Sequence, residues 1–173
     1  MNTMPEKSIE IFSKILNPNE MHLSLLFTSC SKIGTKQALE FGHKVWSETS
    51  SIHRKNKYIL TAALNMFITS GDLSNAENLF MKMKRDSIDY GQMMKCYNNQ
   101  NMPKKTIDLY EKMKRQGLQG DSVTFILLAD ACAQIGLKSL CRSIVSQIPR
   151  AILANSKLQN ALIHMWVSDV RFP

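Results

Sequence analysis

The chain has 173 residues, of which 44% are hydrophobic and 21% charged, with a formal charge of +8 at pH 7. That length would ordinarily make one domain; no run of 18 apolar residues is present to span a membrane, and the patterns of a signal peptide and of an Arg-rich transit peptide are both missing. The basic excess fits a Lys-rich surface or an anionic partner, with nucleic acid ahead of membrane.

Helical patterning begins by about Pro5, and Pro5 to Phe12 returns 98 residues later as Pro103 to Tyr110. Thr28 to Gly34 returns as Asp130 to Gly136, and Thr61 to Phe67 as Asn160 to Trp166, at offsets of 102 and 99. Recurrence at nearly one distance predicts stacked units, with function on a shared surface and not in one cleft. In chain order the pattern gives a lone second helix near 4–16. Helix pairs follow near 20–50, 57–85, 87–116 and 122–148, then a first helix near 157–168. Ala76, Leu79, Phe80 and Met83 follow the i, i+3, i+4, i+7 spacing of one helix face, and Ile107, Tyr110 and Met113 repeat it. Gly34, Gly71 and Gly136 fall where a left-handed residue ends a helix, and Pro103 falls where one begins. Strand signals are weak.

The expected fold is therefore all-α, a right-handed superhelical solenoid of antiparallel helix pairs. Its units run 1–19 (partial), 20–56, 57–86, 87–121, 122–155 and 156–173 (partial). Cys30, Cys132, Leu64 and Ile163 are expected between helices, while Leu162, Ile163, Trp166 and Val167 would lie bare without a following helix. On that ground the chain reads as a fragment of a longer array, or as one needing a partner there. Cys30, Cys96, Cys132 and Cys141 form no Cys-x-x-Cys pair, and no histidine offers ligand spacing beside them. They read as small buried hydrophobes in a reducing compartment, with no metal and no cofactor.

Several segments resemble the pentatricopeptide repeat family. Ser87-Ile88-Asp89-Tyr90-Gly91 resembles the Val-Val-Ser-Trp-Asn start of its 35-residue repeat, and Ile107 to Met113 with Gly117 resembles its second helix. Ser122 to Phe125 with Ala131-Cys132 resembles the long-type repeat, as do Glu20 to Leu23 with Ser29-Cys30. Asn160 to Trp166 resembles the opening Asn-Ala-Leu-Ile-Asp-Met-Tyr of the short type, and Thr61 to Phe67 is a looser copy. That order resembles the mixed-length subclass associated with organellar RNA editing. Two departures stand out: Gln119-Gly120-Asp121 replaces the usual Lys-Pro-Asp, and the His-x-Glu and Cys-x-x-Cys of the subclass's deaminase are missing. The resemblance thus implies single-stranded RNA binding, in a mitochondrion or another organelle, without catalysis. A separate catalytic or editing protein is the implied partner.

In the family the fifth and last residues of each repeat meet one base. Carried over by motif position, these are Ser24 with Asn56, Thr61 with Asp86, Gly91 with Asp121, Ile126 with Asn155, and Asn160 alone. Thr61 with the acceptor Asp86 suits guanine, and Asn56 as donor and acceptor beside Ser24 is closer to adenine. Gly91 and Ile126 add no hydrogen bond. Second positions Met21, Tyr58, Ile88 and Val123 would sandwich bases, although such residues at helical spacing are also ordinary core. Lys82, Lys84, Arg85, Lys112, Lys114 and Arg115 end second helices, where cations favour the helix terminus and could also track phosphates. Two competing readings are a tetratricopeptide-like protein-binding scaffold and a degenerate fragment with little RNA affinity. No phosphate loop, His-Glu-x-x-His or nucleophile elbow supports an enzyme.

Overall fold

A computed structural model describes residues 4–168. The last five residues of the sixth predicted unit, and the first three of the first, lie outside the described residues. Among the described residues are ten α-helices, two single 3-10 turns and no strand. The helices are α1 (Met4–Phe12), α2 (Glu20–Ile33), α3 (Lys36–Glu48), α4 (Lys57–Ser70), α5 (Leu73–Lys82), α6 (Ser87–Asn99), α7 (Pro103–Arg115), α8 (Ser122–Ile135), α9 (Lys138–Ser146) and α10 (Ser156–Ser168).

Their ends follow from local chemistry. Gly34, Gly71 and Gly136 close α2, α4 and α8 with φ of 64°, 74° and 70°, the left-handed region that a side chain disfavours. Pro103 opens α7 at a position that needs no amide hydrogen. The predicted first helix to residue 16 is too long. Ser13 N–H still bonds Ile9 O, but Lys14 and Ile15 make tighter turn bonds to Ile11 O and Phe12 O, and Pro18 then turns its predecessor away from helix.

The chain divides into two compact units, residues 1–84 and 85–173. In the first, α2 packs on α1, α3 and α4, and α4 packs on α3 and α5. Leu26, Phe27 and Cys30 of α2 meet Leu64, Met66 and Phe67 of α4 in a core of 0–1% exposure. Trp46 of α3 sits edge-on to Phe27 and Phe67, with ring centroids 5.8 and 5.7 Å away. Gly42 lets α3 come this close, because a Cβ there would run into Met66 Sδ and Cys30 Sγ.

In the second unit α8 packs on α6, α7, α9 and α10. Asn98, buried on α6, donates from Nδ2 to Leu127 O at 2.8 Å and accepts from Thr106 Oγ1 at 2.6 Å. One side chain thereby ties α6 to α7 and α8, with its buried polar atoms satisfied. Tyr90 is fully buried with its hydroxyl donating to Gln116 Oε1 at 2.8 Å, and burial pushes that hydroxyl's pKa up.

Three of the four expected core residues, Cys30, Cys132 and Leu64, are fully buried. Ile163 is not: it is 62% exposed, although its repeat counterpart Leu64 is 0% exposed. The difference lies in the neighbours, since α4 has α5 packed against it and no described helix follows α10. Trp166 and Val167 are exposed as anticipated, while Leu162 is half-buried.

All four cysteines are buried free thiols. Desolvation pushes Cys30 up to about 11, and burial together with the Cys141 thiol pushes Cys132 up to about 12. A thiol that stays protonated and covered is a poor nucleophile. Iodoacetamide at neutral pH is therefore expected to leave both unmodified in the folded protein and to label both in denaturant; mass spectrometry reads the difference. Ready labelling of Cys132 without denaturant would contradict this burial.

Candidate nucleic-acid interface

Each first helix of a pair (α2, α4, α6, α8, and α10) is entered through a polar side chain that caps it. Asn19 accepts from His22 N–H at 3.0 Å, and Asn56 Oδ1 accepts from Tyr58 and Ile59 N–H at 2.9 and 3.4 Å. Asp86 Oδ1 accepts from Ile88 and Asp89 N–H at 3.0 and 3.1 Å, Asp121 Oδ1 from Thr124 N–H at 2.8 Å, and Asn155 Oδ1 from Leu158 N–H at 3.1 Å. The residues carried over as the last of each repeat are thus helix N-caps, whose side-chain oxygens quench amides that lack a partner within the helix.

Capping has a chemical consequence. Asn56 was expected to offer a base both an acceptor and a donor, but its oxygen serves two backbone amides and its Nδ2 donates to Glu20 Oε2 at 2.6 Å. Asn19 has no fifth-residue partner, because α1 resembles a second helix and supplies none. An asparagine just before an apolar-periodic run was the signal of its cap.

Two residues past the caps of α2, α4, α6 and α8 stands an exposed apolar side chain. In the first unit Met21 is 70% and Tyr58 78% exposed; in the second Ile88 is 65% and Val123 54% exposed. All four second positions therefore lie outside the core, at equivalent places on α2, α4, α6 and α8. One turn on, Ser24, Thr61, Gly91 and Ile126 are half-buried and Asn160 is exposed. The Ser24 and Asn56 helices pack together in the first unit, as do those of Gly91 with Asp121, and of Ile126 with Asn155, in the second. Thr61 belongs to the first unit and Asp86 to the second.

The same helix faces continue with polar residues that the motif comparison passed over. Asn65, four residues after Thr61, donates to Ser31 Oγ at 2.9 Å, and Ser31 and Thr69 hydroxyls are 2.9 Å apart, which pins α2 to α4. Asp130, four after Ile126, is half-buried; burial pushes its carboxyl pKa up against the opposing pull of His164.

The cations divide. Lys82 ends α5 and is exposed, as is Lys84; Arg85 is half-buried. Lys112, Lys114 and Arg115 fill the last turn of α7, where they complement the helix terminus. Lys114 donates to Gln147 Oε1 at 2.8 Å, pairs with Glu111 at 3.3 Å and lies 5.4 Å over the Tyr110 ring. Arg115 Nε donates to Glu111 O at 3.3 Å. Both therefore already have protein partners. Among the described residues no group of three or more His, Cys, Asp or Glu is arranged to hold a metal, and no helix is long and apolar enough to cross a membrane.

Residues 86–134 match the model of the PPR (pentatricopeptide) repeat family, and residues 58–88 match that of the single PPR repeat. Over these segments the chain is similar to pentatricopeptide repeat proteins. A chloroplastic pentatricopeptide repeat-containing protein of Arabidopsis thaliana is 28% identical over 145 residues, covering 79% of this chain and 17% of the relative. A mitochondrial one from the same plant is 29% identical over 125 residues, covering 70% of this chain and 20% of the relative. A third pentatricopeptide repeat-containing protein of that plant is 29% identical over 137 residues, 76% of this chain and 29% of its own length. The chain thus spans less than a third of the length of these curated relatives.

Proposed function

We propose that this chain binds single-stranded RNA as a modular array, one base to a repeat, and brings no chemistry of its own. The observation that supports it most is the exposure of Met21, Tyr58, Ile88 and Val123 at one repeated register, each beside a polar cap. Leaving a large apolar side chain in water forgoes ~1.5–3 kcal/mol of burial. Four such residues at equivalent positions suit a ligand whose flat faces cover them. The net charge of +8 supplies the long-range attraction for a polyanion.

The wider reading follows the resemblance. Successive caps at 19, 56, 86, 121 and 155 stand 37, 30, 35 and 34 residues apart, unequal spacings that favour the mixed-length subclass. Two of the relatives are named as chloroplastic and mitochondrial, which favours an organelle as its place of work. Within that reading the chain recognises RNA for processing or editing, and a separate protein supplies the reaction.

Asp86 gives the sharpest test. Asp86 Oδ1 caps α6, and by the resemblance the Asp86 carboxylate is the acceptor that meets the donor edge of guanine. Asp86→Asn turns that acceptor into a donor, and preference at one nucleotide should move from guanine toward adenine. A polar base contact is worth ~1–3 kcal/mol of discrimination, which a competition assay resolves. Lys84→Ala should weaken all RNAs alike, since a phosphate contact carries no base information. Equal weakening of every sequence by Asp86→Asn would remove base reading from the proposal.

A further inference from the structure

We propose that Glu20 is a specificity-determining residue of the repeat 20–56, one that withholds the Asn56 amide from the base; this rests on the RNA-binding reading above. A primary amide has two acceptor sites on its oxygen and two N–H donors on its nitrogen. In Asn56 the backbone amides of Tyr58 and Ile59 occupy the oxygen, and Glu20 Oε2 takes a donor at 2.6 Å. The cap sets the amide plane, so the nitrogen must point away from the helix. Glu20, the first residue of the same repeat, stands where it points. A hydrogen bond to a carboxylate is shorter and stronger than a neutral one, and this one is shorter than the usual ~2.7–3.2 Å of N–H to O. What remains for a base is one N–H beside a negative charge, a poor reader and a poor neighbour for RNA.

Of the five caps described, Asn19 is the one followed by a carboxylate, Glu20. The residues that follow the caps of α4, α6, α8 and α10 are Lys57, Ser87, Ser122 and Ser156, none of them a carboxylate. Glu20 is exposed and the start of α2 does not depend on it, because Asn19 and His22 exchange two backbone-to-side-chain bonds there at 3.0 and 3.2 Å. Removing Glu20 therefore opens the reading position without unmaking the helix. The freed N–H suits a base with an acceptor ring nitrogen, adenine or cytosine, and not guanine or uracil, whose ring nitrogen there is itself a donor.

The test uses the full chain as wild type, Glu20→Ala, Asn56→Ala and the double variant, with RNA pools randomised one nucleotide at a time. Glu20→Ala should strengthen RNAs carrying adenine or cytosine at one position about fivefold over guanine and uracil, the worth of one net hydrogen bond. The gain should vanish when Asn56→Ala is added. In RNA-free protein the Asn56 side-chain amide resonances should shift on Glu20→Ala. Equal strengthening of all four bases would mean that only charge had been removed, and a gain surviving Asn56→Ala would mean that another group reads the base; either overturns the proposal alone. Unmoved Asn56 amide resonances also overturn it. If none of the four proteins binds RNA, the RNA-binding reading falls and the proposal with it.

Discussion

Tyr58→Ala is expected to weaken single-stranded RNA binding by about 5- to 150-fold, the ~1–3 kcal/mol that one aromatic–base stack contributes. Tyr58 is the aromatic member of the four second positions, and at 78% exposed it is also the most open. Its backbone is anchored, since its own N–H donates to Asn56 Oδ1 at 2.9 Å, so the ring is presented from a fixed helix turn. Ile88 and Val123 offer smaller faces without a π-system, and their alanine variants should lose less. Filter binding to one RNA at constant salt makes the comparison, because the electrostatic part of affinity changes steeply with salt. A loss under twofold, or one no larger than for Val123→Ala, would take the stacking role away from Tyr58.

How much of this could be read from the residues depended on how local each signal was. The pair boundaries were legible because glycines with φ near 70°, Pro103 and the 3.6-residue apolar stripes are local features. The fate of Ile163 was not, since burial depends on which helix packs alongside, and the match of Asn160–Trp166 to Thr61–Phe67 carries no such information. The last residues of the repeats were found by motif, but their capping role was not anticipated, although Asn and Asp before a helix are its commonest signal. The contact of Asn56 with Glu20 spans 36 residues, and only the packing of α2 on α4 makes those two neighbours. The Asn98 bonds to Thr106 and Leu127 were hidden for the same reason.

The largest effect on stability is expected from Phe67→Ala, at about 3–5 kcal/mol, the usual cost of removing a buried aromatic ring. Phe67 is 1% exposed and meets Trp46 and His43 edge-on, with centroids 5.7 and 5.0 Å away. Such pairs add ~0.5–1.5 kcal/mol beyond burial. The hole left behind would be lined by α3 and α4, which Gly42 already holds at close approach, leaving little freedom to collapse. A domain's whole stability is about 5–15 kcal/mol, so the loss should move a urea midpoint far. Trp46 reports on it directly in a Trp166→Phe background, where it is the remaining tryptophan. Tyr58 lies on the same helix nine residues earlier, on the face turned to solvent, and Tyr58→Ala should leave the unfolding free energy within about 0.5 kcal/mol of wild type. A shift of under 1 kcal/mol for Phe67→Ala would mean that the ring is not packed between Trp46 and His43. Loss of stability with Tyr58→Ala would mean that its ring belongs to the core, and the dissociation of binding face from packing face along α4 would be lost.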